Sequence, residues 1–248
     1  MTEGRGRPQL PHIDVREHGG KRGDEEQAID RRLFMQLLVF TAPVGKDPHR
    51  YEEAFRLGME ELNLAGVVYA DANDPRGFGL LTWSENADHF VQTVRPLFRR
   101  EQLQDLALRP EMTMLGRTYG SGHEQNLPFW ILERPIQNVL QPDWPWAVWY
   151  PLRRSGAFEK LSDQEKGSIL MEHALIGRAY GAQDLAHDVR LACHGIDAND
   201  NEFVIGLLGK TLHPLSHVVQ SMRKTTQTSE YINQMGPFFV GRRLFKRP

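Results

Sequence analysis

Cysteine is almost missing from this 248-residue chain. Cys193 stands alone, which excludes an internal disulfide framework and a thiolate metal cluster, and suits a reducing compartment. A surplus of either charge is missing too. Thirty Lys and Arg stand against thirty-two Asp and Glu, a formal net charge of −2, so nothing basic points to nucleic acid or an anionic membrane. No apolar run reaches the roughly 18 residues of a spanning helix. The first thirty or so residues lack the apolar core of a secretory signal, and a cytoplasmic location is the expectation. Also absent are His-Glu-x-x-His, Cys-x-x-Cys, a Walker-type loop and a strand followed by Gly-x-Gly-x-x-Gly.

What is present first is a repeat of about 125 residues. Asp71-Ala-Asn-Asp74 returns as Asp197-Ala-Asn-Asp200, and Leu115-Gly-Arg117 returns as Val240-Gly-Arg242 at nearly the same offset. Each half parses alike. In the first, strands are expected at 33–40, 67–69, 77–83 and about 111–118, with helices near 50–62 and 86–98. In the second, strands are expected at 146–152, in VRLACHG and EFVIGLL around the second turn, and in PFFVGR, with helices near 162–180 and 212–224. That order is βαββαβ twice, a tandem ferredoxin-like α+β fold forming a dimeric α+β barrel-like unit. Residues 1–31, polar and Gly-rich, are expected as an extended arm, 32–120 as the first half and 146–248 as the second. The proline-bearing stretch 121–145 is expected as a linker.

The helix near 162–180 opens with Ser162-Asp-Gln-Glu165, a capping box. Ile169, His173 and Ile176 share one face, beside Leu170, Ala174 and Gly177. A histidine there is either a core residue bonded to a carbonyl or the ligand of a metal or haem laid flat on the face. Spacing leaves both open. His187 and His194 make no ligand pair with it at helical spacing.

Three segments of the second half, Trp149-Tyr-Pro-Leu-Arg-Arg154, Met171-Glu-His-Ala-Leu-Ile-Gly-Arg-Ala-Tyr180, and Met222-Arg223 running into Gly236-Pro-Phe-Phe-Val-Gly241, together resemble the chlorite dismutase superfamily, especially its coproheme decarboxylases. The resemblance covers about 145–242 and implies the fold derived above. It implies that His173 is the proximal iron ligand and that Tyr150 is the redox residue. The activity implied is peroxide-dependent oxidative decarboxylation of two propionates of iron coproporphyrin III, giving haem b through a tyrosyl radical. The porphyrin is then both substrate and redox centre, and hydrogen peroxide the second substrate. A phenol suits that task, because it can lose an electron and a proton together and then take a hydrogen atom from the propionate.

Four propionates need cationic or hydroxyl donors. The resemblance places Arg154 and Ser229 among them, with Arg223 on the preceding helix as a further candidate. The position above the iron falls on Asp188 or Arg190, and the residue beside the proximal histidine near Thr228. An arginine at 190 would favour anion binding, which keeps chlorite cleavage to chloride and oxygen as the alternative, with a non-catalytic haem-binding protein on the same scaffold as another. The resemblance also implies a homo-oligomer, a pentamer, and no nucleic-acid or membrane-spanning partner.

Overall fold

Phe34–Thr41 alternates along its length, Met35, Leu37 and Val39 buried and most of their neighbours half-exposed; that period of two makes it a strand with one face in a core. A computed structural model describes residues 10–248 and builds its main sheet chiefly from eight strands. They are β1 (Phe34–Thr41), β2 (Gly66–Asp71), β3 (Gly77–Ser84), β4 (Met114–Arg117), β5 (Trp146–Arg154), β6 (His187–Ala192), β7 (Phe203–Gly209) and β8 (Phe239–Arg247). The helices that matter below are α1 (Pro48–Glu61), α2 (Arg134–Leu140), α3 (Asp163–Ala182), α4 (Leu212–Met222) and α5 (Thr226–Tyr231).

Every pairing is antiparallel. The first four strands lie in the order β4-β1-β3-β2 and the second four in the matching order β8-β5-β7-β6. β2 pairs along its length with β8, and β4 meets β6 through Arg117 and Ala192, so the eight strands close into a ring. The tandem ferredoxin-like α+β fold read from the repeat is the fold observed. Both Asp-Ala-Asn-Asp blocks are turns built the same way. Asp71 accepts from the backbone N–H of Asn73, and Asp197 from that of Asn199, each at 2.9 Å.

The ring is filled, not hollow. Met35, Leu37, Val67, Tyr69, Leu81, Trp149, Leu191, Val204 and Phe239 from both halves form one core inside it. Its fit is tight at Gly206, where an added Cβ would lie 2.5 Å from the fully buried Trp149 ring. Gly206→Ala is expected to cost about 1–3 kcal/mol, read as a lowered Tm; an unchanged melting curve would contradict this packing.

The linker and the arm carry structure of their own. Residues 121–145 include a helix. Phe129–Glu133 forms a wide helical turn that runs into α2, and Leu127, Ile131, Leu132 and Val139 join the core. Pro128 stands at the start of this stretch, where a missing N–H costs nothing, and Pro135 at the junction where the wide turn passes into α2. The arm is not wholly detached. Glu17–His18 pairs with Ala28–Ile29, and Glu17 accepts from Arg117 (2.7 Å), Arg32 (3.2 Å) and the Gly120 N–H (3.1 Å). Residues 1–9 of the expected arm lie outside the described residues.

The two halves differ in how their outer sheet faces are covered. In the first, α1 buries Tyr51, Ala54, Phe55, Gly58 and Met59 against Val68, Phe78 and Leu80. In the second, α3 occupies the equivalent place in the βαββαβ order, yet none of its twenty residues is buried. It rests on α4, α5 and β6. Among the described residues no helix is long and apolar enough to cross a membrane.

Candidate functional site

The face that α3 covers only in part is defined by strand register. Residues directly opposite in antiparallel strands point to the same side. Tyr150 of β5, Ile205 of β7 and Arg190 of β6 therefore form one row, and Val148, Leu207 and Asp188 the next. Ile176 and Tyr180 of α3 and Leu215, Val218 and Met222 of α4 pack over these rows. Asp188 acts by charge on both Tyr150 and His173, and Arg190 acts on His173.

α3 is started by its capping box. The Ser162 hydroxyl accepts from the Glu165 N–H, and Glu165 accepts in return from the Ser162 N–H. Two and a half turns on stands His173, half-buried, with Nδ1 3.5 Å from the Thr225 hydroxyl, at the outer limit of a hydrogen bond. Thr225 donates its one hydroxyl proton to the Met222 carbonyl at 2.8 Å, so toward His173 it can only accept. That arrangement puts the ring proton on Nδ1 and leaves the Nε2 lone pair free. Burial, reinforced by Arg190, holds the imidazole below its ordinary pKa and favours the neutral form that ligation requires. The oxygen beside the ring therefore belongs to Thr225; Thr228, expected there by counting, stands behind it, 3.3 Å from the same hydroxyl.

Tyr150 is 5% exposed and stacks on Phe238 with ring centroids 4.7 Å apart. Burial raises its pKa; Asp188 pushes it the same way, and Arg223 opposes both. The phenol is thus protonated throughout the physiological range. Arg223 is exposed, and among the described residues it has no carboxylate partner, so its guanidinium remains available to an anion near Tyr150.

The other predicted donors are less free. Arg154 is already paired. Its Nε and Nη2 donate to Glu202 at 2.9 and 2.6 Å, and its guanidinium lies over the Phe158 and Phe203 rings. As a propionate donor it would first have to leave Glu202, so its expected role is not supported by this geometry. Ser229 is exposed but donates to the Thr225 carbonyl at 2.9 Å, which fixes α5 rather than reaching into the site.

Asp188 and Arg190 are bound to one another, Arg190 Nε lying 3.1 Å from Asp188 Oδ2. Asp188 is further held by Arg134 of α2, whose Nη2 donates to Oδ1 at 2.7 Å and whose Nη1 donates to the backbone oxygen at 3.0 Å. Burial alone would raise the Asp188 pKa; Arg190 and Arg134 outweigh it and keep the carboxylate ionised. With its carboxylate oxygens taken by arginines, Asp188 is a clamp. Arg190, 42% exposed along its side chain, is the group free to meet a ligand. Arg134, stacked over Trp130 at 4.7 Å, was hidden from sequence reasoning because its partner is distant in the chain. Arg134→Ala is expected to leave the fold intact and to loosen Arg190, lowering affinity for a small anion such as azide about tenfold, read by titration calorimetry.

These residues fit an iron porphyrin. Among the described residues no cluster of three or more His, Cys, Asp or Glu is placed to hold a bare metal ion, whereas a porphyrin supplies four nitrogens and asks the protein for one axial ligand. Beside His173, a Cβ at Gly177 would meet only the Met222 methyl, at 3.6 Å, so the helix surface next to the ring is open.

The chlorite dismutase family model matches residues 76–244. Solved structures of the same fold include a candidate chlorite dismutase (TM-score 0.69, 15% identity, covering 86% of this chain and 95% of that one). A haem-binding protein from Thermus thermophilus is similar at TM-score 0.66 and 18% identity, over 87% of this chain and 92% of its own. A mutant chlorite dismutase from Candidatus Nitrospira defluvii is similar at TM-score 0.67 and 11% identity, over 89% and 93%. No curated protein matches by sequence.

Proposed function

From the premise that this chain belongs to the chlorite dismutase family, we propose that it is a coproheme decarboxylase. It binds iron coproporphyrin III on the partly covered face of its second half and removes two propionates with hydrogen peroxide to give haem b. The observation that carries this reading is the juxtaposition on that face. A histidine on α3, Nδ1 turned to Thr225, feels the charge of Arg190, and Arg190 lies in the strand row of a buried, protonated phenol.

The residues divide the work. His173 Nε2 takes the iron, while Thr225 fixes the ring's tautomer and orientation. Arg223 draws a propionate toward Tyr150 by charge. The iron and peroxide together supply one-electron oxidising power. Tyr150 gives up its electron, its proton passing to the carboxylate of the propionate drawn to it, and then takes a hydrogen atom from the propionate chain. Loss of carbon dioxide and a second electron leaves a vinyl group. Each turn consumes one peroxide and releases one carbon dioxide and two waters. The apolar wall of Val148, Leu207, Val218 and Phe238 keeps water from quenching the phenoxyl. The reading includes a cytoplasmic homo-oligomer, a pentamer, with no nucleic-acid partner.

The test is anaerobic loading with iron coproporphyrin III followed by stepwise peroxide and mass spectrometry. Two successive losses of a carboxyl group with one hydrogen are expected; an unchanged or bleached porphyrin would refute the assignment. One observation favours a second reading. Arg190 lies in the row of Tyr150 and its charge acts on His173, as suits a small oxyanion held above the iron. Oxygen release on adding chlorite to the haem-loaded protein would favour chlorite cleavage, and porphyrin binding with neither reaction a haem-binding role.

A further inference from the structure

Tyr150 is not the phenol best equipped to give up a proton. Among the described residues its hydroxyl has no hydrogen-bond partner, and burial and Asp188 both oppose its ionisation. Tyr180 is placed differently. It lies two turns after His173 on the same face of α3, about 10 Å along the axis, and packs against the cluster that contains Tyr150. Its hydroxyl is 2.5 Å from Nδ1 of His217 and 3.0 Å from the Ser221 hydroxyl, both on α4. His217 is exposed, and His213, one turn before it, has its ring centroid 5.9 Å away.

We propose that Tyr180, with His217 as its proton acceptor, is a second oxidisable phenol of this site, through which an oxidising equivalent leaves toward the surface. In the step, one electron passes from Tyr180 to the iron centre oxidised by hydrogen peroxide, and the phenolic proton moves to His217 Nδ1. The products are a neutral phenoxyl and an imidazolium. The Ser221 hydroxyl donates to the phenoxyl oxygen. An external one-electron reductant of the thiol or ascorbate class returns the electron, and the proton returns from Nδ1. His217 suits this role because it stands at the surface, so the charge it gains is hydrated. Among the described residues Tyr150 has no proton acceptor from the protein, whereas Tyr180 has one in His217. The relay rests on the porphyrin reading above only for the source of its oxidant.

The pair is tested first without porphyrin. Photogenerated ruthenium(III) tris-bipyridine oxidises the full chain, and the tyrosyl yield is followed by transient absorption for wild type, Tyr180→Phe, His217→Gln and Tyr150→Phe. Loss of the phenol or of its base is expected to lower the yield at least about threefold. An unchanged yield in Tyr180→Phe overturns the proposal. The second arm adds peroxide to the haem-loaded protein and freezes it for electron paramagnetic resonance. A tyrosyl signal that persists in Tyr150→Phe and disappears in Tyr150→Phe/Tyr180→Phe supports the relay; a signal insensitive to Tyr180 overturns it. If no Soret band forms on loading, the porphyrin reading fails by itself, and the ruthenium arm still decides whether the pair is oxidisable.

Discussion

Tyr150→Phe is expected to bind iron coproporphyrin III as tightly as the wild type and to form haem b at least ~10²-fold more slowly. The two parts of that expectation have separate causes. Binding depends on His173 and on the apolar wall, to which a phenylalanine at this position contributes the same ring stacked on Phe238. The hydroxyl makes no hydrogen bond among the described residues, so its removal leaves no partner unsatisfied and costs little stability. The rate depends on the one atom removed. Quenched-flow mass spectrometry with a Soret titration reads both; an unchanged rate would show that the oxidising equivalent reaches the propionate by another route.

His173→Ala has the larger effect on binding. Affinity for the iron porphyrin is expected to fall by at least ~10²-fold, because outer-shell partners alone are commonly worth roughly 10–100-fold and this is the ligand itself. Added imidazole is expected to restore the ligated Soret spectrum. That rescue separates ligation from folding. The fold is expected to survive, since α3 buries none of its residues and His173 makes only one long hydrogen bond. A variant that melts like the wild type and still binds with full affinity would remove His173 from the iron.

Much of this was visible in the sequence, because it is local or periodic. The duplicated Asp-Ala-Asn-Asp turns mark the two halves since each folds by the same side-chain-to-backbone bond two residues on. The capping box at Ser162 fixes the start of α3, and the spacing of Ile169, His173 and Ile176 puts them on one face. What periodicity could not show is that this face is only half covered. A helix that seals a sheet and a helix that stands beside a ligand space carry similar stripes; α1 and α3 differ in what the sheet offers them. The pairing of Arg154 with Glu202 and the hold of Arg134 on Asp188 join residues about fifty positions apart, and no local pattern announces such pairs. The prolines of 121–145 misled for a different reason. The same residue that breaks a helix interior is favoured at a helix start, which Pro128 occupies, and Pro135 sits where the wide turn passes into α2.

The closure of the ring through β2 and β8 bears on how this chain must be made. β2 spans Gly66–Asp71, whereas its outer neighbour β8 is the last strand in chain order. During synthesis the first half can fold while its β2 edge still has no partner. That edge is apolar, with Val67, Val68 and Tyr69 all buried once β8 arrives. At about 5–20 residues per second, the interval before β8 emerges is on the order of ten seconds or more. An unpaired strand edge of this kind is a template for joining another chain. A nascent or truncated product lacking β8 would therefore be a substrate for chaperones, and its yield would depend on temperature and expression rate far more than that of the finished ring.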